Sequence, residues 1–156
     1  MSLTTLNRYA LAMELLSLEA RISIVVKETG LSPAILRKAF IEMHQRSPSC
    51  GSMRTSPQFI SRSYSRLKEA TLYVLFFRIN KNTPDFCRRS INAYRQYSSY
   101  INTVSNSSPL LDFSDAWVVA KWSDSGVLKL VRCSHCGSAK LINNELQHNV
   151  CCVCKS

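Results

Sequence analysis

Acidic residues are scarce in this chain. Ten Asp and Glu stand against twenty Lys and Arg, and none occurs between Glu42 and Glu69. Paired-carboxylate catalysis has little to work with in such a sequence. Also missing are a glycine-rich phosphate loop, an HExxH helix and a G-x-S-x-G elbow, the patterns behind phosphoryl transfer, metal-assisted hydrolysis and serine-nucleophile chemistry. Neither an enzyme nor a small-molecule substrate is expected. The longest nearly apolar run, Ala70 to Phe77, falls far short of the ~20 residues of a membrane helix, so no membrane partner is expected either. The apolar stretch from Tyr9 is interrupted by Glu14 and Glu19 and lacks a cleavage site, which argues against a secretory signal.

What is present is a basic chain with a real core. Apolar residues make up 46% of its 156 positions, ordinary for a folded protein. The formal charge of +10 favours a polyanionic partner, nucleic acid before an anionic surface. Seven cysteines are an odd number for a disulfide scaffold, and five of them crowd into the last 24 residues. Cys133, Cys136, Cys151 and Cys154 form two CxxC pairs with fourteen residues between them, the spacing of a tetrahedral four-thiolate zinc site. One structural Zn2+ is expected, closing a segment too small to bury a core of its own. His135 and His148 are unnecessary as ligands, and Cys152 breaks the spacing. Cys50 and Cys87 are read as packing residues. Thiols in metal spacing place the chain in a reducing, cytoplasmic setting.

The helical pattern starts early. Leu11, Leu15, Leu18, Ile22 and Val25 recur at helical spacing, and Ala12, Leu16, Ala20 and Ile24 lie beside them. One helix is expected to run to Thr29-Gly30. Its wide apolar face serves either its own domain's core or a partner surface at Leu11, Leu15, Leu18 and Ile22. Ser32-Pro33 starts a second helix. On it Leu36, Ala39, Phe40 and Met43 face one way, and Ala34, Arg37, Lys38, Ile41 and Gln45 the other. Residues 1–46 thus read as helix-turn-helix-like, with an ordinary helical hairpin as the alternative. Residues 47–65 lack a period. Arg46, Arg54, Arg62 and Arg66 stud this stretch and its borders, which suits a basic Ser/Pro-rich loop along a phosphate backbone, or a flexible linker.

Residues 66–126 read as a helical core. Leu72, Val74, Leu75, Phe76 and Phe77 mark its most apolar helix. Thr83-Pro84-Asp85 and Ser108-Pro109 are expected to start the next two. Residues 127–156 read as a zinc-ribbon-like module: a strand from Val127 into Cys133, then Ala139–Ile142 and Glu145–Val150 paired as a hairpin about Asn143-Asn144. The fold class is mainly α, with a small C-terminal four-cysteine module.

Several stretches resemble the flagellar transcriptional activator FlhC family. They are Leu11-Ala12-Met13-Glu14-Leu15, Ala20-Arg21, Glu28-Thr29, Leu31-Ser32, Ala93-Tyr94-Arg95 with Tyr97, Pro109-Leu110-Leu111, Ala116-Trp117 and Ser125-Gly126. The strand and both cysteine pairs follow in the family's order. The resemblance implies a DNA-binding activator of flagellar (class II) operons. Such a protein works in a hetero-oligomer with an FlhD-like partner on double-stranded promoter DNA and recruits RNA polymerase, its zinc held by Cys133, Cys136, Cys151 and Cys154. Arg37, Lys38, Gln45, Arg46, Arg54, Arg62 and Arg66 are the expected DNA contacts. The family continues into a basic tail where this chain ends at Ser156, so contacts made by that tail are not expected. A zinc-stabilised assembly subunit and a divergent paralogue regulating other genes are the alternatives.

Overall fold

Serine and aspartate side chains set four of the helix starts. Ser2, Ser63, Asp85 and Asp112 each accept a hydrogen bond from the amide three residues on, satisfying a donor that the first helical turn leaves without a partner. The computed structural model describes residues 1–143 and 149–156. They fall into two units, Met1–Met53 and Arg54–Ser156.

The first unit holds α1 (Leu3–Ser17), α2 (Ile22–Thr29) and α3 (Pro33–His44), each packed on the other two. The single helix expected from Leu11 to Thr29 is therefore two. Glu19 adopts a left-handed conformation at φ 60°. The Glu19 amide donates to Leu16 O and the Ala20 amide to Leu15 O, the paired bonds of a Schellman stop. Buried Leu15 and Ala20 flank this corner. Gly30, also left-handed at φ 70°, ends α2. Thr29 is buried beside it, donating to Val25 O and accepting from the Leu31 amide. Arg8 Nε donates to Thr29 O at 2.6 Å. A Cβ on Gly30 would sit 3.0 Å from the Arg8 guanidinium. Leu16, Ile24, Val25, Leu36 and Phe40 fill the centre, and Arg21 reaches the carbonyls of Cys50 and Gly51.

The second unit is organised on α4 (Tyr64–Ile79). Against it pack α5 (Phe86–Val104), α6 (Phe113–Ser125), a short 3-10 helix (Pro57–Ser61) and the second strand of a hairpin, β1 (Lys129–Arg132) with β2 (Ala139–Ile142). Of the five apolar residues expected to mark this helix, Val74 and Phe77 are buried, together with Tyr73, whereas Leu72, Leu75 and Phe76 are half-exposed. Within the 47–65 stretch expected to be loop or linker, Pro57 starts the short 3-10 helix, capped by Ser56, and Phe59 and Ile60 are buried in the main core. Two expected starts move downstream: Asp85, not Thr83, caps α5, and Asp112, not Ser108, caps α6. The β1–β2 pairing is antiparallel, with Leu130 opposite Leu141 and Arg132 opposite Ala139. Ala139–Ile142 was expected to pair with Glu145–Val150; its partner is β1, and residues 144–148 lie outside the described residues. Leu128 and Leu141 join the helical core, which anchors the hairpin to α4.

A polar knot ties the loop before α6 to the helices. The Glu69 carboxylate accepts from the Tyr97 hydroxyl and the Leu110 amide. The Tyr94 hydroxyl donates to Leu111 O at 3.1 Å. Burial holds the Tyr97 hydroxyl far above its usual range, and the hydrogen bond to Glu69 adds to this. Tyr94 is pushed up to about 12, by burial first and then by the charges of Asp112, Asp115 and Glu69.

Candidate metal centre

The four paired cysteines converge although they are remote in sequence. Gly126, left-handed at φ 83°, ends α6, and the Leu128 amide turns back to Trp122 O. That turn directs β1 into Cys133. The first knuckle is closed by the Gly137 amide on Cys133 O at 2.9 Å and the Cys133 amide on Ser138 O at 2.8 Å. The second has the same two bonds: the Lys155 amide to Cys151 O at 2.9 Å, and the Cys151 amide to Ser156 O at 3.0 Å. Gly137 and Lys155 are left-handed in both, at φ 75° and 61°.

The four Sγ atoms lie within 4.8 Å of one another. Cys133 and Cys154 are 3.6 Å apart, as are Cys136 and Cys151. A tetrahedron with metal–sulfur bonds of about 2.3 Å has sulfur–sulfur edges of about 3.8 Å. The donor set therefore fits one zinc ion, with all four positions taken by the protein. None of the seven cysteines is in a disulfide. The knuckle amides also favour thiolates. The Cys133 thiol is lowered by the amides of Cys136 and His135, and Cys136 is lowered to about 6 by the Ser138 hydroxyl and amide. At Cys154 the Ser156 hydroxyl and amide lower the thiol, but burial and the neighbouring Cys133 and Cys136 leave it raised. Mutual repulsion of clustered thiolates is what a cation relieves.

The remaining thiols and histidines separate clearly. His135 is exposed and outside the four-sulfur cluster; His148 lies outside the described residues. Cys152 turns away and packs on the helical core. Cys87 is buried as expected, whereas Cys50 is exposed rather than packed.

The basic residues singled out by sequence fall in both units. Arg37 and Lys38 are exposed on α3 beside Ile41. Gln45 caps the end of that helix, its amide donating to Glu42 O. Arg46 pairs with Glu19 and lies over the Phe40 ring. In the second unit, Arg62 is exposed. Arg54 lies over Phe59 and bonds Asp115 at 3.4 Å; that carboxyl is raised by burial and by Asp112, with Arg54 opposing. Arg66 reaches Phe59 O at 3.4 Å. Of the proposed partner surface, Leu15 and Ile22 are buried in the first unit's own core, while Leu11 and Leu18 are half-buried. Sequence reasoning passed over Arg78 and Arg132, which line a groove of about 300 Å³ beside the first knuckle. Their separation along the chain hid them.

No described helix is long and apolar enough to cross a membrane. Comparison with known proteins gives one consistent result. The family described as "Flagellar transcriptional activator (FlhC)" matches residues 2–156. The flagellar transcriptional regulator FlhC of Serratia marcescens is 30% identical over 148 residues, covering 93% of this chain and 76% of that protein. Those of Gallionella capsiferriformans and Yersinia enterocolitica are 30% and 29% identical, over 92% and 93% of this chain and 81% and 77% of theirs.

Proposed function

Since this chain belongs to the FlhC family of flagellar transcriptional activators, we propose that it is the DNA-binding subunit of an activator of flagellar (class II) operons. It acts in the cytoplasm in a hetero-oligomer with an FlhD-like partner and brings RNA polymerase to the promoter. The observation that carries this reading is the family match through residues 2–156, which includes both units and all four clustered cysteines. The match is to transcriptional regulators, not to an enzyme class.

In this reading α2, the Gly30 turn and α3 form a helix-turn-helix-like head, with Arg37 and Lys38 exposed for phosphate contact. Zinc, when bound by Cys133, Cys136, Cys151 and Cys154, supplies a cross-link that substitutes for a core the tail is too small to build. The chain's own residues do the rest: the knuckle amides hold the thiolates, and Leu128 and Leu141 fasten the module to α4.

A second reading, an assembly subunit whose partner contacts DNA, draws on a different observation. Arg46, Arg54 and Arg66 already have contacts within the chain. Co-expression with an FlhD-like protein, native mass measurement and footprinting on a flagellar promoter test the proposal. A joint complex that protects a discrete promoter site is expected. Recovery of the two proteins apart would sink it, and protection by the FlhD-like protein alone would favour the assembly role.

A further inference from the structure

We propose that the groove between the end of α4 and β1 is a seat for a phosphate of the DNA backbone, held by Arg78 and Arg132. The inference rests on the DNA-binding reading above and adds to it a contact outside α3 and the 47–65 segment. Arg78 stands in the last turn of α4, and Arg132 ends β1 immediately before Cys133. Both side chains are exposed and both line the same groove, of about 300 Å³, with Leu75, Leu130 and Gly137. Among the described residues no carboxylate lines it. Neither guanidinium has a side-chain hydrogen bond or ion pair among the described residues, whereas Arg54, Arg66 and Arg89 are all engaged.

Two planar guanidiniums on separate elements suit a tetrahedral dianion or a phosphodiester, because each can present paired N–H donors to its oxygens. A Cβ built on Gly137 meets nothing within 4 Å, so the wall there opens to solvent and gives room for a polymer to pass. Arg78 also complements the negative end of the α4 dipole, but that role needs no facing arginine. Because Arg132 and Gly137 flank the Cys133–Cys136 knuckle, the seat exists only while the knuckle is folded. The charge of +10 favours a nucleic-acid backbone over a carboxylate on a protein partner.

The test uses the full zinc-loaded complex with its FlhD-like partner, bound to a flagellar-promoter duplex and a scrambled duplex of equal length across a salt series. Arg78→Ala/Arg132→Ala, which empties a seat for one phosphate, should make the slope of log affinity against log salt shallower by about 1 on both duplexes. Arg78→Lys/Arg132→Lys should restore most of the slope, which a folding defect would not allow. An unchanged slope in the Ala variant, with the wild-type complex binding normally, overturns the proposal. So does a variant that sheds the partner while binding DNA as before, which would assign the groove to a partner carboxylate. A wild-type complex that binds neither duplex would overturn the functional reading itself, and this inference with it.

Discussion

Gly137 and Lys155 occupy the same position in two like-bonded turns, each donating its amide to the first cysteine of its own knuckle. Both are left-handed, but only one is glycine. A side chain in that region costs about 1–2 kcal/mol, and Lys155 offsets part of it by lying over the Tyr64 ring at 4.9 Å. Gly137→Lys should therefore weaken zinc retention by about 1–2 kcal/mol, whereas Lys155→Gly should stay within about 1 kcal/mol of wild type. Chelator competition measures both. Equal losses would mean that the two turns are not equivalent.

The ligand set is tested by pairing a predicted loss with predicted silence. Cys136→Ser should release the metal and unfold the β1–β2 module. Cys152→Ser and His135→Ala should each retain one equivalent, since neither residue belongs to the cluster. Native mass spectrometry distinguishes them, and full zinc content in Cys136→Ser would remove that cysteine from the site.

The polar knot of Glu69, Tyr97 and Leu110 predicts a stability effect away from the metal. Tyr97→Phe removes a hydrogen bond to a carboxylate, a loss of about 1.5–3 kcal/mol. The zinc content should stay at one equivalent. Urea denaturation of the complex with and without the substitution provides the value.

Alkaline pH should act on the same knot. Tyr94 is raised from the usual 10 to about 12, and Tyr73 and Tyr97 are raised further, all chiefly by burial. Above pH 10 the unfolded chain releases these protons while the folded one retains them, so folding stability falls as pH rises. The contribution of Tyr94 is full below pH 10 and is lost by about pH 12. Thermal melts between pH 9 and 12, with tyrosinate absorbance recorded in parallel, should show ionisation coinciding with unfolding. Ionisation well below the melt would mean that these hydroxyls are not enclosed.

On α3, Arg37→Ala/Lys38→Ala should weaken promoter binding and reduce its salt slope by about 2, leaving assembly with the partner unaltered. Both side chains are exposed, so stability should change little. Unchanged affinity would withdraw α3 from the DNA surface.

Local signals were legible where a single residue type carries the geometry. Gly30 and Gly126 end helices as glycines do, and Ser32-Pro33 opens α3. The break at Glu19 was hidden because a glutamate takes the left-handed stop, a conformation whose usual marker is glycine. Pro84 and Pro109 pointed to helix starts that Asp85 and Asp112 make instead, because an aspartate downstream offers a better acceptor for the third amide. The 47–65 stretch looked like open loop, yet Phe59 and Ile60 are buried in it, since two apolar residues in a short 3-10 turn make no visible period.

The sequence by itself determined a set of four cysteines placed to hold a metal ion, because two CxxC pairs are a local pattern whose spacing matches what a thiolate tetrahedron requires. It determined the excess of positive charge and the family's motif order as well. Only the tertiary structure decided which arginines are held inside the chain and which face outward, and it alone set Arg78 beside Arg132. The last of these depends on the packing of β2 against α4 and on its pairing with β1, and contacts between distant segments leave no periodic trace in the sequence that forms them.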